Sequence, residues 1–511
     1  MLNGWPKTQD PVDFLGQLRD KIDPSSVFFE GECAVITYSE LFQYIDAFCE
    51  LFAENGVQAG DRIAIVLEED VHAILAYLAA LWYGLELSVL DADATADESK
   101  KTLSLLDPDH LIFSPLIRHS WAFLNTKPFA TKTQITLCPD WIGTCLDHPE
   151  TLISALPAHR ALDDAHLIVL TSGTTGSPKG VVLSFGAVLA QSLNMAAGID
   201  FGQDSRILNL FRLSQIGSIV NGALLALLHG ATFVRPFKEF TLDQSGGLLA
   251  KLDEQPVSHF IFVPSLLSCL FRDRAAFTKA FKNPEFQYFV TTAAPISDEL
   301  WRQVEAETQK IVINTFGSSE VNNVTFTSRH AGDDRVGTIG HLLNAECRIT
   351  DTAGKRVTDG DTGDLWVRSE TSMSGYLGAP ELTSQVLIDG WIKTGDLAHM
   401  SGDALVYDGR NVESIISGGH TIYPTEINNI LLGHPEVADA FTFGKPHPEW
   451  GELVATCVVR VTPNLSVAQV SRFLRDRLSA HKLPRKIVFV DQIPLNERGK
   501  VRISEVQKLA T

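Results

Sequence analysis

The sequence predicts an α/β protein: a large N-terminal part on a doubly wound, largely parallel sheet, then a small α+β C-terminal part. Three observations carry that expectation. A chain of 511 residues is too long for one ordinary hydrophobic core, so it divides into two or more domains. Its first third alternates strand-like and helix-period segments, the pattern of repeated β-α-β units. Finally, the composition changes over 408–413 (Asp-Gly-Arg-Asn-Val-Glu), ahead of short strands and one amphipathic helix.

The elements follow in order. Residues 36–38 read as a strand, with Ser39 as N-cap of a helix running to about Glu54. Gly60 and Asp61 make a turn, 62–67 a strand, 71–83 a helix and 87–90 a strand. The stretch at 166–184, HLIVLTSGTTGSPKGVVLS, is the one the rest supplements. Its apolar run 167–170 is a buried strand, and then Thr171, Ser172, Gly173, Thr174, Thr175, Gly176, Ser177, Pro178 and Lys179 follow. Glycines let successive N–H groups turn toward one point, hydroxyls add donors there, and Lys179 brings a mobile positive charge. Such a loop suits polyphosphate oxygens. It is not the common P-loop, because Gly180 and Val181 after Lys179 begin another strand-like run rather than a helix. A Ser/Gly-rich surface loop without function would have the same composition.

Further along, 208–214 (LNLFRLS) ends a strand at Arg212, which either pairs with a carboxylate or orients a substrate oxygen through its planar fork. Residues 259–267 are a strand followed by a turn, and 289–295 a strand ending in the small residues Thr292, Ala293 and Ala294. Small side chains at the carboxyl end of a parallel strand leave room for a flat ligand, or pack tightly against a helix. In 314–320 (NTFGSSE), a turn at Gly317 presents Glu320 toward a divalent cation. The stretch 360–368 reads as a hairpin turn into a strand. Asp396 follows Gly395 in a tight turn, where its carboxylate accepts from vicinal hydroxyls or merely stabilises the turn. Beyond the composition change, Gly418 and Gly419 sit on a loop between strands. Strands at 438–443, 454–461 and 486–490 and a helix at 467–479 complete the small domain.

Composition narrows the function classes. Hydrophobic residues at 45% and charged residues at 20% are those of a soluble globular protein. A net charge of −20 argues against nucleic acid or an anionic membrane as a bulk partner, so cations for an anionic ligand must be gathered locally. Cys33, Cys49, Cys138, Cys145, Cys269, Cys347 and Cys457 are odd in number and lack metal-ligand spacing, which points to a reducing cytoplasm. The polar start MLNGWPKTQD lacks a signal-peptide core, and the apolar stretch 73–90 is broken by Gly84 and Glu86, so no membrane span is expected.

The order of residues in 166–184 resembles the phosphate-loop signature of the adenylate-forming superfamily: acyl- and aryl-CoA ligases, luciferases, stand-alone adenylation domains and amide ligases. The set made by that loop, Glu320, Asp396, Arg410 and Lys500 extends the resemblance from Thr37 to Lys500. It implies a distorted β-barrel beside the sheets, an N-terminal adenylation domain over 1–409, a hinge at 410–413 pivoting on Val412, and a mobile C-terminal domain over 414–511. It implies ATP, Mg2+ and a small carboxylic acid, joined as an acyl-adenylate and passed to CoA, or to an amine or a carrier-protein thiol. Lys500, Glu320, Thr175 and Arg410 would be catalytic, with Glu320 and Thr175 on the metal. ATP would meet Thr171, Ser172, Gly173, Thr174, Thr175, Gly176, Lys179, Thr292, Ala293, Ala294, Asn314, Thr315, Phe316, Ser319, Asp396, Arg410 and Lys500. The acid would meet Arg212, Thr292, Gly317, Ser318, Ile339 and Gly340, and the acceptor would pass Gly418, Gly419 and His420. The chain departs from the family's pattern at Phe185, Arg212, Phe316, Ser319 and Val412.

Overall fold

Two parallel sheets with apolar helices between them make the bulk of the protein. The computed structural model describes residues 11–67, 71–92, 94, 96–115, 132–137, 161–172, 178–238, 240–330, 332–410, 415–417, 420–422, 424–447, 451–478, 482–495 and 501–509. In the first sheet, of seven strands, Arg62–Val66 lies between Glu86–Val89 and His110–Phe113, parallel to both. Glu86–Val89 is in turn parallel to Ala165–Ser172, which returns antiparallel through Pro178–Ser184. Thus the phosphate-loop stretch is a β-hairpin on the flank of a parallel sheet, and Gly375–Tyr376 closes that edge.

The second sheet has nine strands, and those from Val27–Gly31 through Ile311–Ser318 run parallel. Helix Val71–Tyr83 has no polar face: all but one of its residues, His72, are buried. An all-round apolar helix is stable only when covered on every side, and the two sheets with their helices cover it.

A third sheet is antiparallel; the resemblance implies a distorted barrel beside the two parallel ones. Its strands are Ala345–Thr350, Gly363–Ser369, Leu387–Ile388, Trp391–Ser401 and Ala404–Arg410. A bridge between Gly340 and Leu405 ties it to the second sheet. Beyond Arg410 a separate five-stranded sheet, including Val437–His447, Gly451–Arg460 and Lys486–Val490, packs its own apolar core around Ile415, Leu431, Val458 and Leu474.

Local departures from expectation have physical reasons. The first long helix is capped by Thr37, not Ser39: Thr37 Oγ1 accepts from Glu40 N, and the Glu40 carboxylate accepts from Thr37 N at 2.8 Å. This reciprocal box satisfies two orphan donors and starts the helix at Tyr38. After strand His259–Phe262 the chain enters a helix, Pro264–Leu270, rather than a turn, since proline's fixed φ suits the first helical position. Gly317 belongs to strand Ile311–Ser318, and the hairpin turn falls after it. A side chain there would put Cβ 2.1 Å from the Asn322 carbonyl oxygen, so only glycine lets the two strands close. Asp396 lies inside strand Trp391–Ser401 rather than in a turn.

Gly340 combines φ +87° with a space in which a Cβ would meet the Phe326 carbonyl carbon at 2.1 Å, whereas Gly354, at φ +80°, faces open space. Gly340→Ala is therefore expected to lose about 3 kcal/mol or more, and Gly354→Ala about 1 kcal/mol. Urea unfolding of both variants checks this; equal losses would mean that backbone strain alone, not the close approach, decides.

Candidate active site

One set of interacting polar side chains draws on all three sheets of the large part: Tyr376 from the first, Glu320 from the hairpin of the second, and Asp396 with Arg410 from the third. Asp396 is 2% exposed. The strand that carries it pairs Lys393 with Trp366 and Leu397 with Asp364, so 394–396 bulge out of the ladder, and Gly395 supplies the φ of +77° that the bulge requires. Arg410, at the end of the adjacent strand, donates from Nε to Asp396 Oδ1 at 3.1 Å, and Asp396 N donates to Thr394 Oγ1 at 3.1 Å. Burial pushes the Asp396 carboxyl up to about 6, with Arg410 pulling the other way.

Glu320 stands at the hairpin turn between Ile311–Ser318 and Asn322–Phe326. Its backbone N–H donates to Ser318 Oγ at 3.2 Å, and its carbonyl accepts from Met373 N at 2.8 Å. Tyr376 Oη donates to Glu320 Oε1 at 3.0 Å, and Glu320 Oε2 has no protein partner among the described residues. Tyr376 pairs with Val181 of the phosphate-loop hairpin, and Lys179 Nζ lies 5.5 Å from the centre of its ring. Burial, and then the charge of Glu320, push the Tyr376 phenol up, so it stays a donor at neutral pH. The two groups are close enough to feel one another, since the Glu320 charge acts on Asp396 and the Arg410 charge on Tyr376.

This arrangement fits a nucleoside triphosphate. A buried carboxylate can accept from paired ribose hydroxyls, and a lysine such as Lys179 can meet phosphate oxygens. Among the described residues no group of three or more His, Cys, Asp or Glu forms a metal cage. A single carboxylate with an open oxygen is what Mg2+ uses when phosphates and water supply its other ligands.

The other expected residues fall into three groups. Thr171 and Ser172 end strand Ala165–Ser172; Thr292, Ala293 and Ala294 follow strand Tyr288–Thr291; Gly317, Ser318 and Ser319 lead to Glu320. Ala293 holds φ +69°, a left-handed conformation unusual for a residue with a Cβ and common at functional sites. Phe316 is half-buried with its ring 6.1 Å from that of Tyr407. Ile339 donates its N–H to Leu405 O, beside Gly340.

A second group has partners within the protein. Asn314, expected to meet ATP, is buried and spends its side-chain amide on Thr338 O at 2.8 Å, tying down the 337–340 turn. Thr315 is buried with Oγ1 accepting from Asn323 Nδ2 at 3.1 Å, because alternate residues of a strand face opposite sides. Arg212 Nη1 pairs with Asp91 Oδ1 at 2.8 Å, joining strand ends of the two parallel sheets.

Gly173, Thr174, Thr175, Gly176, Val412, Gly418, Gly419 and Lys500 lie outside the described residues, and His420 is described only as backbone, paired with Ser417. Sequence reasoning assigned no role to Tyr376. Its only signal was an aromatic in a short motif far along the chain, and nothing local connects it to Glu320.

With this geometry in place, comparison with known proteins identifies the class. The family model described as AMP-binding enzyme matches residues 19–377, and that of the AMP-binding enzyme C-terminal domain matches 426–500. The chain belongs to the AMP-binding enzyme family and is an ATP-dependent, AMP-forming acid ligase. It is 32% identical to an indoleacetate–CoA ligase of Aromatoleum aromaticum over 67% of each chain, and 31% identical to a sulfoacetate–CoA ligase of Cupriavidus necator over 69% of each. Among solved structures it resembles ATP-bound MatB from Rhodopseudomonas palustris, with a TM-score of 0.87 and 26% identity over 98% of this chain and 99% of that one.

Two outcomes are expected. Tyr376→Phe should keep the fold and lower kcat/KM roughly 10- to 100-fold, the worth of a hydrogen bond to a carboxylate, with a raised Mg2+ requirement. Because the carboxyl of Asp396 is raised to about 6, ATP should bind well above that pH and more weakly as the pH falls through it. Asp396→Asn should bind ATP weakly with no such dependence. Calorimetric titration between pH 5 and 8 reads both; a wild-type profile as flat as the variant's contradicts the assignment.

Proposed function

We propose that the protein joins a small carboxylic acid to ATP as an acyl-adenylate and passes the acyl group to the thiol of CoA. The observation that carries this reading is the junction where Glu320, held by Tyr376 beside Lys179, stands next to the buried Asp396–Arg410 pair. In the first step a carboxylate oxygen attacks the α-phosphorus of ATP, the bond to the pyrophosphate oxygen breaks, and pyrophosphate leaves. No side chain acts as a covalent nucleophile, so rate comes from positioning and from charge at the reacting phosphorus.

In this account Asp396 and Arg410 hold the ribose and its neighbouring phosphate, and Lys179 with the hydroxyls of Thr174 and Thr175 holds the departing pyrophosphate. Glu320 and Thr175 would hold Mg2+, which supplies charge neutralisation across the phosphates. Lys500 bridges the α-phosphate and the acid. The large domain spans 1–409 and the small one 414–511; rotation about Val412 withdraws Lys500 and brings Gly418, Gly419 and His420 to the site for the acceptor. The CoA-ligase relatives favour a thiol acceptor over an amine or a carrier protein. The five described cysteines are free and no described helix is long and apolar enough to cross a membrane, in keeping with a cytoplasmic enzyme.

The test is product mass spectrometry after incubation with ATP, Mg2+ and a panel of carboxylic acids, with CoA in one sample and amino acids in a parallel one. An acyl-CoA mass with AMP beside it is expected; amide masses without CoA would move the acceptor to an amine. Lys500→Ala should slow adenylation by about 10²–10³ while still binding ATP. Wild-type adenylation by that variant would sink the residue assignment.

A further inference from the structure

Behind Thr292 the core contains something an apolar pocket floor does not need. Gln191 on helix Phe185–Ile199, Asn221 and Asn323 on strand Asn322–Phe326 are 1%, 4% and 7% exposed. Asn221 sits in a π-helical turn, Ile219–Leu224, and Ser192 Oγ donates to the Val220 carbonyl of that turn at 3.2 Å. Such turns shift side chains out of α-helical register and recur at functional sites.

The three amides bond to one another. Gln191 Nε2 donates to Asn221 Oδ1 and to Asn323 Oδ1, both at 2.9 Å, and Asn221 Nδ2 donates to Asn323 Oδ1 at 3.1 Å. Asn323 N donates to Gln191 Oε1 at 3.0 Å, and Asn323 Nδ2 reaches Thr315 Oγ1 at 3.1 Å and Thr292 Oγ1 at 3.2 Å. Buried neighbours on the same elements include the apolar Val188, Met195, Val220 and Leu224 as well as the polar Ser192, Asn194 and Thr325. Burying three amides there is costly unless each is paired, and well-packed apolar residues would serve a purely structural floor.

The pairing is incomplete in one direction. Both Gln191 N–H groups are used, but the second N–H of Asn221 and the hydroxyl proton of Thr292 have no acceptor among the described residues. Thr292 is only half-buried, so the network reaches partly exposed surface at that residue. We propose that Gln191, Asn221 and Asn323, acting through Thr292 and the spare N–H of Asn221, select an acid that carries a hydrogen-bond acceptor (a hydroxyl, carbonyl or second carboxylate oxygen) at the end away from its reacting carboxyl. This rests on the ligase reading and on Thr292 lining the acid site. A hydrocarbon tail in the same place leaves those donors buried and unpaired, and a site built to bond a substrate oxygen rejects the analogue that lacks it.

The test uses matched acids: benzoate and its hydroxybenzoates, phenylacetate and 4-hydroxyphenylacetate, hexanoate and adipate. Pyrophosphate release with ATP, Mg2+ and CoA is read as kcat/KM. The expected result is a preference of about 10-fold or more for the oxygen-bearing member of the best-used pair. Asn221→Leu, close in volume, should collapse that ratio, and so should Thr292→Val, the milder change if the first fails to fold. A wild-type ratio near or below one in every pair overturns the proposal, as does a variant that slows both members equally. Release of pyrophosphate without polar preference would sink this inference alone, whereas no release with any acid would sink the ligase reading and this with it.

Discussion

The site depends on keeping one carboxylate dry. Asp396 is buried in a β-sheet, and in water-free surroundings a carboxyl prefers to be neutral; Arg410 on the neighbouring strand is what opposes that. The pair forms because Asp396 lies directly opposite Arg410 on the neighbouring strand, while 394–396 leave the ladder with Gly363–Ser369 at Gly395. Arg410 is the last residue of strand Ala404–Arg410.

A second dependence runs through Tyr376. The phosphate-loop hairpin belongs to the first sheet and Glu320 to the second, and the phenol joins them by bonding Glu320 while its ring faces Lys179. Arg212 and Asp91 make a parallel tie between the strand ends of the same two sheets. Positioning of this kind suits a reaction with no protein nucleophile, in which rate comes from holding two reactants and their charges in register.

Much of the fold was legible in the sequence because its signals are local. The helix Val71–Tyr83 and the strand Lys486–Val490 were delimited by apolar runs between turn residues, and the hairpin at 166–184 by its glycines. The sequence was silent at places where a distant partner decides. Asp396 looked like a turn residue because a bulge and a turn use the same Gly-Asp pair, and only the partner strand distinguishes them. Asn314 and Thr315 bond the 337–340 turn and Asn323 through their side chains, and nothing near them in sequence marks those partners. The amide cluster joins residues as far apart as Gln191 and Asn323, and neither has a neighbour in sequence that marks it.

The central claim is that a carboxylate of the acid attacks the α-phosphorus of ATP. It is tested most directly by supplying the acid that the panel identifies with both carboxyl oxygens as 18O and analysing the products after acyl transfer. The account predicts one 18O in AMP and none in pyrophosphate. Label in pyrophosphate or inorganic phosphate, with unlabelled AMP, would mean attack at another phosphorus and would contradict it.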